Sequence, residues 1–432
     1  MQNNHERIES DLFRTVRMNK GFLLWMGFLT AALAVCLYAY YLQLRDGLGV
    51  TGLRDYVSWG MYIANFVFFV ASSLIGMLMS AVLGLIGIKW VKPLARIAEF
   101  IALGFAAVAG LVIISDMGRP ERLAYVFIYG RFQSPILWDV TVVVTYVLIS
   151  ALLVYLPLIP DLAIGARRIE KPAWLRKTYS ILSVNWKGTP EQHRILDKSV
   201  FILLVLIVPV AFAIHTVTSW LFASTVRPGW NSTIFGPYFI SGAFVAGLAS
   251  VIIAMYFFRK NYKLETYITD EHFDKVGKLL VLICLVYFYF NLNEFLVPGY
   301  KLEKAEALHL ESIFTGHFAG LFWFAQMFGL ILPIILLLFK KMRRPLPMLV
   351  IAILLFAASW IKRYIIVVPT QEDPFLPMQH VPSNFLMYHP TLTETGITLA
   401  SFILVLMIVT ILSKVFPVIP VWEAKEEAAP NE

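Results

Sequence analysis

The sequence predicts an all-α integral membrane protein with about ten transmembrane helices. Of its 432 residues, 59% are hydrophobic and only 15% are charged, and the mean hydropathy is +0.72, outside the usual range of soluble domains. The apolar runs are mostly about 20 to 30 residues long, enough for an α-helix to cross a hydrocarbon core of ~30 Å. Membrane β-barrels instead show alternating segments of about ten residues, so helices are predicted.

Ten apolar runs follow one another along the chain. They cover residues 21–43, 58–88, 93–115, 136–158, 199–224, 237–258, 276–299, 315–339, 345–368 and 394–416. Residues 1–20 are polar and lack a small-residue cleavage site before the first run, so we expect no signal peptide. Residues 21–416 form the membrane domain, which includes a basic loop at 159–198, and residues 417–432 form a C-terminal tail.

The positions of Lys and Arg predict the orientation of the chain. Ten spans place both termini on one side, and that side carries 26 of the 36 Lys and Arg, whereas the links on the other side carry 8. Because cytoplasmic links are enriched in Lys and Arg, both termini are predicted to be cytoplasmic. We expect a multi-pass protein of the bacterial cytoplasmic (inner) membrane. The net charge of +8 therefore reflects topology, and no nucleic-acid partner is expected.

Two features of the spans have simple structural interpretations. Cys36 and Cys284 both fall inside apolar runs, so they are predicted to pack as small apolar side chains and cannot form a cysteine-ligated cluster. At the inner end of the third span, Lys92, Arg96 and Glu99 are predicted to form an interfacial ion cluster.

Most polar groups of the spans share one depth, in the predicted outer half of the membrane. They are Asn65, Asp116, Asp139, His215, Glu294, Lys362, Arg363 and Glu394. His215 is the deepest, roughly 14 Å below the outer end of its helix at a rise of 1.5 Å per residue. Ionisable groups are costly within a membrane, and independent interfacial anchors should occur at both faces. A polar cavity open to the outside is therefore the better account.

Aromatic residues lie at the same depth. They are Trp59, Tyr62, Trp220, Trp230 and Tyr238. Such residues either belong to an interfacial aromatic belt or form the walls of a site for a flat hydrophobic ligand. Both interpretations stay open from the sequence alone.

Residues 116–139 form an unusually charged outer link, "DMGRPERLAYVFIYGRFQSPILWD". Its Arg119, Arg122 and Arg131 oppose the positive-inside tendency, which indicates that the structure or a partner holds them. Asp116 and Arg119 are close enough in sequence to form an ion pair, and Pro120 stops the helix. The alternative interpretation is a salt bridge that only caps the helix.

Several stretches resemble the polysulfide reductase membrane-subunit family, also called the NrfD/PsrC family. They are "WGMYIANFVFF", the link at 116–139, "HTVTSWLFASTVRPGWNSTIFGPYFISGAF" and "NLNEF". The later "SWIKRYIIVVP", "PTLTETGI" and "KVFPVIPVWE" are most similar to the ten-helix branch, which includes the large membrane subunits of alternative complex III. The similarity runs from about residue 20 to 423.

The resemblance implies two four-helix bundles, spans 2 to 5 and 6 to 9, with the first and last spans outside them. It implies an exchangeable quinone, usually menaquinone, near the outer surface and no intrinsic haem or iron–sulfur cluster. A periplasmic iron–sulfur subunit would dock there, linked to a multihaem cytochrome c or a molybdopterin-type subunit, and such complexes sometimes include a second membrane subunit. The chain would thus be a subunit of a respiratory quinone oxidoreductase, not catalytic in isolation.

Site residues follow from the motif positions and from depth. Asp116, Arg119, Asp139 and His215 match motif positions. His215 is the predicted proton-exchanging group because imidazole titrates near neutral pH, and Asp116 or Asp139 would relay the proton. Arg119 could hold an Asp ionised. The predicted quinone-binding residues are Trp59, Tyr62, Asn65, Arg119, Trp220, Trp230, Glu294, Arg363 and Glu394.

Departures from the family pattern leave other functions open. Leu74 and Leu221 stand where members with a proposed proton path carry His and Asp, and Lys362 stands where a Glu is common. We therefore predict no proton channel from the cytoplasm, unless another subunit or ordered water supplies one. The alternatives are a quinone-inactive structural or coupling subunit, a secondary transporter with charges near the midplane, or a haem b anchor that uses His215 and His317.

Overall fold

The computed structural model describes residues 2–16, 18–169, 172–373, 380–382 and 385–427. Regular structure in these residues is helical throughout, and ten helices are long and apolar enough to cross a membrane. The predicted all-α membrane class is therefore confirmed. The ten helices are α1 Lys20–Asp46, α2 Met61–Leu85, α3 Lys92–Asp116, α4 Pro135–Tyr155, α5 Pro190–Ala223, α6 Phe235–Tyr262, α7 Asp270–Lys301, α8 Ala319–Leu338, α9 Pro345–Val367 and α10 Leu392–Val415.

Both ends of the described chain lie on one face of the protein. An ion pair of 2.7 Å between Lys425 Nζ and Glu9 Oε1 joins the helix Val421–Glu427 to the helix Gln2–Phe13. We call this the terminal face. The links that follow α1, α3, α5, α7 and α9 lie on the opposite face. The cytoplasmic location of the terminal face stays a prediction from the Lys and Arg count.

The helices form two connected rings of contacts. α2 contacts α3, α3 contacts α4, α4 contacts α5, and α5 contacts α2. The second ring runs in the same way through α6, α7, α8 and α9, and α6 and α9 both pack on α2. α1 packs on α10, which in turn packs on α3. These contacts agree with two four-helix bundles, although the division into bundles stays a prediction.

Several helices begin earlier than the apolar runs because polar residues cap them. Thr189 is the N-cap of α5 and forms a capping box with Gln192, and Pro190 is the first helical residue. α5 therefore begins with a polar part that precedes the apolar run at 199–224. The basic loop 159–198 is also mostly helical, with helices Ile159–Arg168 and Ala173–Leu182. Tyr179 fixes the second of these by donating a hydrogen bond to the Val415 carbonyl.

Two helices contain π-helical turns, Met77–Val82 in α2 and Met327–Ile331 in α8. Glycine lies beside or within each turn at a close helix contact. A Cβ on Gly76 would lie 2.6 Å from the Ala102 Cβ, and one on Gly329 would lie 3.0 Å from the Ala358 Cβ. These helices therefore approach their neighbours more closely than a larger residue would allow.

The ion cluster predicted at the inner end of the third span has a different partner. Arg96 Nη1 lies 2.6 Å from Asp161 Oδ2, and both side chains are buried. Asp161 also accepts hydrogen bonds from the backbone N–H groups of Val421 and Trp422, at 3.2 and 3.0 Å. The predicted cluster of Lys92, Arg96 and Glu99 did not include Asp161, which forms the direct ion pair, whereas Glu99 interacts with Arg96 at longer range. This pair attaches the C-terminal helix to the terminal face.

Replacing Asp161 with Asn should destabilise the terminal face, because Arg96 would keep a buried charge without a counter-ion. Breaking one side of a buried ion pair costs about 3–5 kcal/mol. We expect a lower apparent Tm in detergent and faster trypsin cleavage at Lys425. The matched control is Glu191→Gln, which breaks an exposed pair with Arg194. Equal behaviour of the two variants would contradict the proposed attachment.

Candidate functional site

The ionisable residues that the sequence places at one depth are distributed over three groups on the opposite-face side of the protein. The first group lies between α1, α2 and α10 and contains Glu394 and Tyr62. The second contains Asp139 of α4 and His215 of α5, and His215 also lies near Val70 of α2 and Arg363 of α9. The third lies among α6, α7 and α9 and contains Glu294.

Glu394 has a structural role at the start of α10, and its role in quinone binding stays a prediction. It forms a capping box with Thr391, and its Oε2 accepts a hydrogen bond of 2.8 Å from the Gly52 N–H. Its Oε1 accepts a hydrogen bond from the Tyr388 hydroxyl, which itself accepts one of 2.9 Å from the Met61 N–H. Burial and the nearby carboxylate raise the pKa of Tyr388, so the phenol stays protonated. Glu394 thus joins the start of α10 to the link that contains Gly52 and to the link that contains Tyr388.

Asn65 and Tyr62 also make contacts between helices. Asn65 Nδ2 donates to Thr398 Oγ1 at 2.7 Å, and its Oδ1 accepts from Trp360 Nε1 at 2.7 Å. The Tyr62 hydroxyl donates to Gln43 Oε1 at 2.5 Å. Both Asn65 and Tyr62 are fully buried. These polar atoms are already hydrogen-bonded within the chain. The role of Asn65 and Tyr62 in quinone binding stays a prediction.

Three other predicted residues differ in exposure. Asp116 ends α3, and its Oδ1 is buried without a hydrogen-bond partner among the described residues. Arg119 is exposed, and no ion pair joins it to Asp116 in this described segment. Its backbone has left the helical conformation, with φ −137° and ψ 78°. The Trp220 side chain is 48% exposed, which agrees with a position in the aromatic belt.

His215 and Asp139 lie in the second group, and both are buried. His215 Nδ1 lies 2.9 Å from the Ala211 carbonyl within α5, whereas its Nε2 has no hydrogen-bond partner among the described residues. Asp139 Oδ1 accepts a hydrogen bond of 2.5 Å from Thr218 Oγ1, which joins α4 to α5. His215 therefore has one ring nitrogen fixed by its own helix and one that can bond to another group.

Trp59 and Trp230 form an aromatic cluster at the opposite-face end of the second group. The Trp59 ring centroid lies 5.4 Å from Phe222 and 5.8 Å from Trp230. Trp230 Nε1 donates to the Ile366 carbonyl at 2.5 Å. Gln371 fixes Trp59 from both sides, accepting from its N–H at 3.0 Å and donating to its carbonyl at 2.7 Å. The cluster connects the first helix ring to α9.

A cavity opens in the third group, between the ends of α7 and α9 and the link helix Lys304–Phe314. We call it the α7–α9 cavity. The empty space in the cavity and its mouth, open solvent included, amounts to about 480 Å³. Its lining residues are Gly229, Tyr238, Glu294, Phe295, Pro298, Glu306, His309, Leu310, Ile313, Lys362, Ile365, Ile366 and Thr370. This lining combines apolar walls with a few polar groups, as is typical of small-molecule sites.

The deepest polar groups of the α7–α9 cavity are Lys362 and Glu294. Lys362 Nζ is buried and has no hydrogen-bond partner among the described residues. It lies 4.7 Å from the ring centroid of Phe295, 5.0 Å from Phe322 and 5.5 Å from Tyr238. Cation–π contacts of this kind offset part of the cost of burying an ammonium group. Glu294 Oε2 accepts a hydrogen bond of 2.6 Å from Ser232 Oγ.

Polar atoms without partners also occur nearer the opening. Glu306 Oε2 and His309 Nδ1 are buried and lack hydrogen-bond partners among the described residues. His309 Nδ1 lies 3.7 Å from Asp373 Oδ2. The His309 ring packs against Gly229, where a Cβ would lie 2.5 Å from Nε2 and where φ is +82°. Gly229 therefore allows the ring to take its position.

Arg363 follows Lys362 in α9. Both residues line a second, smaller cavity. The Arg363 guanidinium group stacks 4.4 Å from the centre of the Phe239 ring and donates a hydrogen bond of 3.0 Å to the Phe239 carbonyl. Arg363 is thus fixed within the second helix ring.

Sequence reasoning does not select four residues that matter here: Gln371, Tyr388, Glu306 and His309. It marks Lys362 as a departure from a family pattern without making it a site residue. The polar spacing in the link helix Lys304–Phe314 is one available signal for Glu306 and His309, because they are three residues apart and share a helix face. Gln371 and Tyr388 act through long-range contacts that no local pattern contains.

Comparison with known proteins places the chain in a family. A family model for NrfD, polysulphide reductase, matches residues 49–373. The chain belongs to this family. The NrfD match covers the second and third groups. Of the first group it covers Tyr62, but not the contributions of α1 and α10 or the link residue Tyr388. The family predicted from the sequence motifs is therefore confirmed.

Individual relatives agree with this assignment. The chain is 25% identical to a selenate reductase subunit of Mesobacillus selenatarsenatis, over 88% of this chain and 90% of the relative. It is 24% identical to an Hdr-like menaquinol oxidoreductase integral membrane subunit of Archaeoglobus fulgidus, over 91% and 92%. It is 33% identical to the membrane subunit of a putative dimethyl sulfoxide reductase of Halobacterium salinarum, but this match spans 53% of the chain and only half of that relative.

The contacts of Tyr388 predict that residue 60 must be Gly. A Cβ on Gly60, the residue before α2, would lie 2.4 Å from the Tyr388 ring, whereas one on Gly84, near the other end of α2, meets nothing within 4 Å. Gly60→Ala should displace Tyr388 and lower the apparent Tm, because Glu394 would lose a hydrogen bond worth about 1–3 kcal/mol. Gly84→Ala is the control. Equal Tm values in detergent for both variants would show that Tyr388 does not hold the start of α2.

Proposed function

We propose that this chain is the quinone-interacting membrane subunit of a respiratory oxidoreductase, and that it exchanges electrons with an iron–sulfur partner on the opposite face. One observation carries the proposal: buried ionisable side chains of the membrane helices concentrate on the opposite-face side. Examples are Asp139, His215, Glu294 and Lys362. Such groups are costly in a membrane unless they serve a site. Their position suits a lipid-soluble ligand that reacts near one surface.

The relatives support the choice of quinone. One is described as a menaquinol oxidoreductase integral membrane subunit. Another, from Nitratidesulfovibrio vulgaris, is described as a menaquinone reductase integral membrane subunit and is 32% identical over 32% of this chain. Others belong to selenate and dimethyl sulfoxide reductases. We therefore propose menaquinone or another exchangeable quinone as the substrate, and a molybdopterin-type subunit or a multihaem cytochrome c as a further partner.

Quinone chemistry moves two electrons and two protons, so the protein must offer proton-exchanging groups while the electrons pass to the partner. His215 is proposed for this role because its Nε2 is buried and has no hydrogen-bond partner among the described residues. Asp139 lies on the neighbouring α4 and is proposed to relay the proton. Asp116 is a second candidate relay, since its Oδ1 also lacks a partner in the described part of the chain.

The His215 role predicts a sharp loss of turnover without loss of the complex. His215→Leu should reduce quinol-dependent electron transfer to background, because the apolar side chain cannot exchange a proton. Phe212→Leu, on the exposed side of the same helix, is the control and should keep its activity. Turnover is measured on purified complexes that retain all of their subunits. Unchanged turnover in His215→Leu would remove this residue from the mechanism.

The link 117–134 is the proposed docking surface for the partner. Phe132 is 87% exposed and Tyr129 is 73% exposed, and Arg122 and Arg131 are exposed beside them. Aromatic and Arg side chains are enriched in the centres of protein interfaces. The two Arg side chains lie on the predicted periplasmic side, where Lys and Arg are otherwise few. A partner surface with carboxylates would complement them.

Charge reversal in this link tests the docking surface. The double variant Arg122→Glu and Arg131→Glu should release the partner subunits during purification, because an attractive pair of charges becomes repulsive. The control is Arg194→Glu, a highly exposed residue near the terminal face. The ratio of the subunits, determined by mass spectrometry, is the measurement. Retention of every partner by the double variant would place the interface elsewhere.

A second candidate function is a quinone-inactive coupling subunit of the same kind of complex. The observation in its favour is that Leu74 is fully buried at a position where proton-conducting relatives are expected to carry His. The haem b alternative uses His317, which lies outside α8 in the preceding link. The His317 ring lies 6.4 Å from that of His389. A purified complex that contains no quinone and resists quinone analogues would favour this second function.

A further inference from the structure

A short helix of the basic loop lies across the ends of two membrane spans. We call this helix, Ala173–Leu182, the surface helix. The Tyr179 hydroxyl donates a hydrogen bond to the carbonyl of Val415, the last residue of α10. The Leu182 carbonyl accepts one of 2.9 Å from the hydroxyl of Tyr155, the last residue of α4. The surface helix therefore lies at the level where both spans end, which is the headgroup level of a bilayer.

The surface helix has two apolar sides, and only one of them is packed on the protein. Leu175 and Tyr179 are buried, and the Tyr179 ring lies close against Gly165 of the preceding helix. In contrast, Trp174 is 52% exposed and Ile181 is 65% exposed. These two residues are seven apart, so at 3.6 residues per turn they lie on nearly the same flank of the helix. The described chain leaves this apolar flank largely uncovered.

Basic side chains lie beside the apolar flank. Arg176 and Lys177 are exposed, and no ion pair joins either of them to a carboxylate of the described residues. The loop 159–198 contains eight Lys or Arg and four Asp or Glu. One of these four, Asp161, is buried in its pair with Arg96. The exposed surface of the loop therefore carries an excess of positive charge.

The order of side chains around the surface helix matches a bilayer surface. At about 100° per residue, the buried side is followed by the flank of Trp174 and Ile181, then by Lys177 and then by Arg176. Helices that lie in the plane of a membrane place an apolar flank among acyl chains and direct Lys and Arg toward anionic headgroups. An anionic phospholipid satisfies both the flank and the basic edge. A zwitterionic phospholipid satisfies only the flank, because its headgroup carries its own positive charge.

We infer that the surface helix binds an anionic phospholipid in the leaflet at the terminal face. Lys177 donates a hydrogen bond to the lipid phosphate, Arg176 adds to the attraction, and an acyl chain covers Trp174 and Ile181. Binding attaches the loop between α4 and α5 to the bilayer. The groups proposed for quinone chemistry lie on the opposite-face side, so a test of this lipid site does not depend on the proposed function.

Native mass spectrometry of the purified protein tests the class of lipid. The protein in mild detergent is titrated with phosphatidylglycerol or with phosphatidylcholine that has the same acyl chains, and bound lipids are counted. The tightest site should prefer phosphatidylglycerol by at least about tenfold, and Arg176→Gln with Lys177→Gln should remove most of this preference, because each basic residue near the phosphate contributes to it. The control is Lys187→Gln with Arg194→Gln, which removes two charges from other exposed positions of the same loop and should keep the preference.

Two results of the titration would overturn the inference. One is equal binding of the two lipids by the original protein. The other is an equal effect of the double variant and its control, because the overall charge of the loop would then explain the preference without a site on the surface helix.

Chemical labelling of the original protein covers the case in which the double variant does not assemble. The protein is placed in nanodiscs of phosphatidylcholine, with or without phosphatidylglycerol, and treated with acetic anhydride, which acylates accessible lysines. Lys177 should react at least about threefold more slowly when phosphatidylglycerol is present, because the lipid phosphate covers it, whereas Lys187 should react equally in both. Equally fast reaction of Lys177 in both nanodiscs would overturn the inference. Slow reaction in both would also overturn it, because a protein partner would then cover the helix.

Discussion

A charged side chain inside a membrane protein requires a partner, because lipid tails offer no hydrogen bonds and little dielectric screening. This chain meets the requirement in different ways at different depths. Arg96 has Asp161 as its counter-ion, and Glu394 accepts hydrogen bonds from the backbone and from Tyr388. Among the described residues, Lys362 has aromatic rings as its close contacts. The first two charges have hydrogen-bond partners within the chain, whereas Lys362 Nζ has none among the described residues, and this contrast separates the structural charges from the α7–α9 cavity.

The sequence is enough to predict the membrane spans, but not which side chains of different spans contact one another. Hydropathy depends on composition within a window, so ten helices could be recognised without any tertiary contact. Partner choice depends on which helix faces which. Asp116 and Arg119 are three residues apart, yet the chain leaves the helical conformation at Arg119 and the Arg side chain is exposed. Arg96 pairs instead with Asp161, a residue of a different helix.

Some structural roles could have been recognised from local patterns. The sequence "TLTE" at 391–394 is a capping-box pattern, in which Glu394 serves its own helix. Recognising it would have shown a structural role for Glu394 beside its predicted role in quinone binding. The role of Lys362 was harder to predict, because its significance comes from the lack of a carboxylate in direct contact with it. That feature is visible only once α6, α7 and α9 are packed together.

The opposite face is organised by contacts between distant links. Gln371, which follows α9, holds the backbone of Trp59 before α2 from both sides. Trp59 in turn packs on Trp230, whose ring nitrogen bonds to α9. A displacement of the link after α9 would therefore move the aromatic cluster. It would also move Ile366, which lines the α7–α9 cavity. Docking of a partner on this face and occupancy of a site beneath it share one rigid support.

The attachment of the C-terminal helix to Asp161 has a consequence for biosynthesis. The backbone N–H groups of Val421 and Trp422 that bind Asp161 are synthesised 260 and 261 residues after it. Arg96 and Asp161 are therefore made well before the donors that complete their surroundings. A chain cut before residue 421 would leave two acceptor positions of the buried Asp161 carboxylate without these donors.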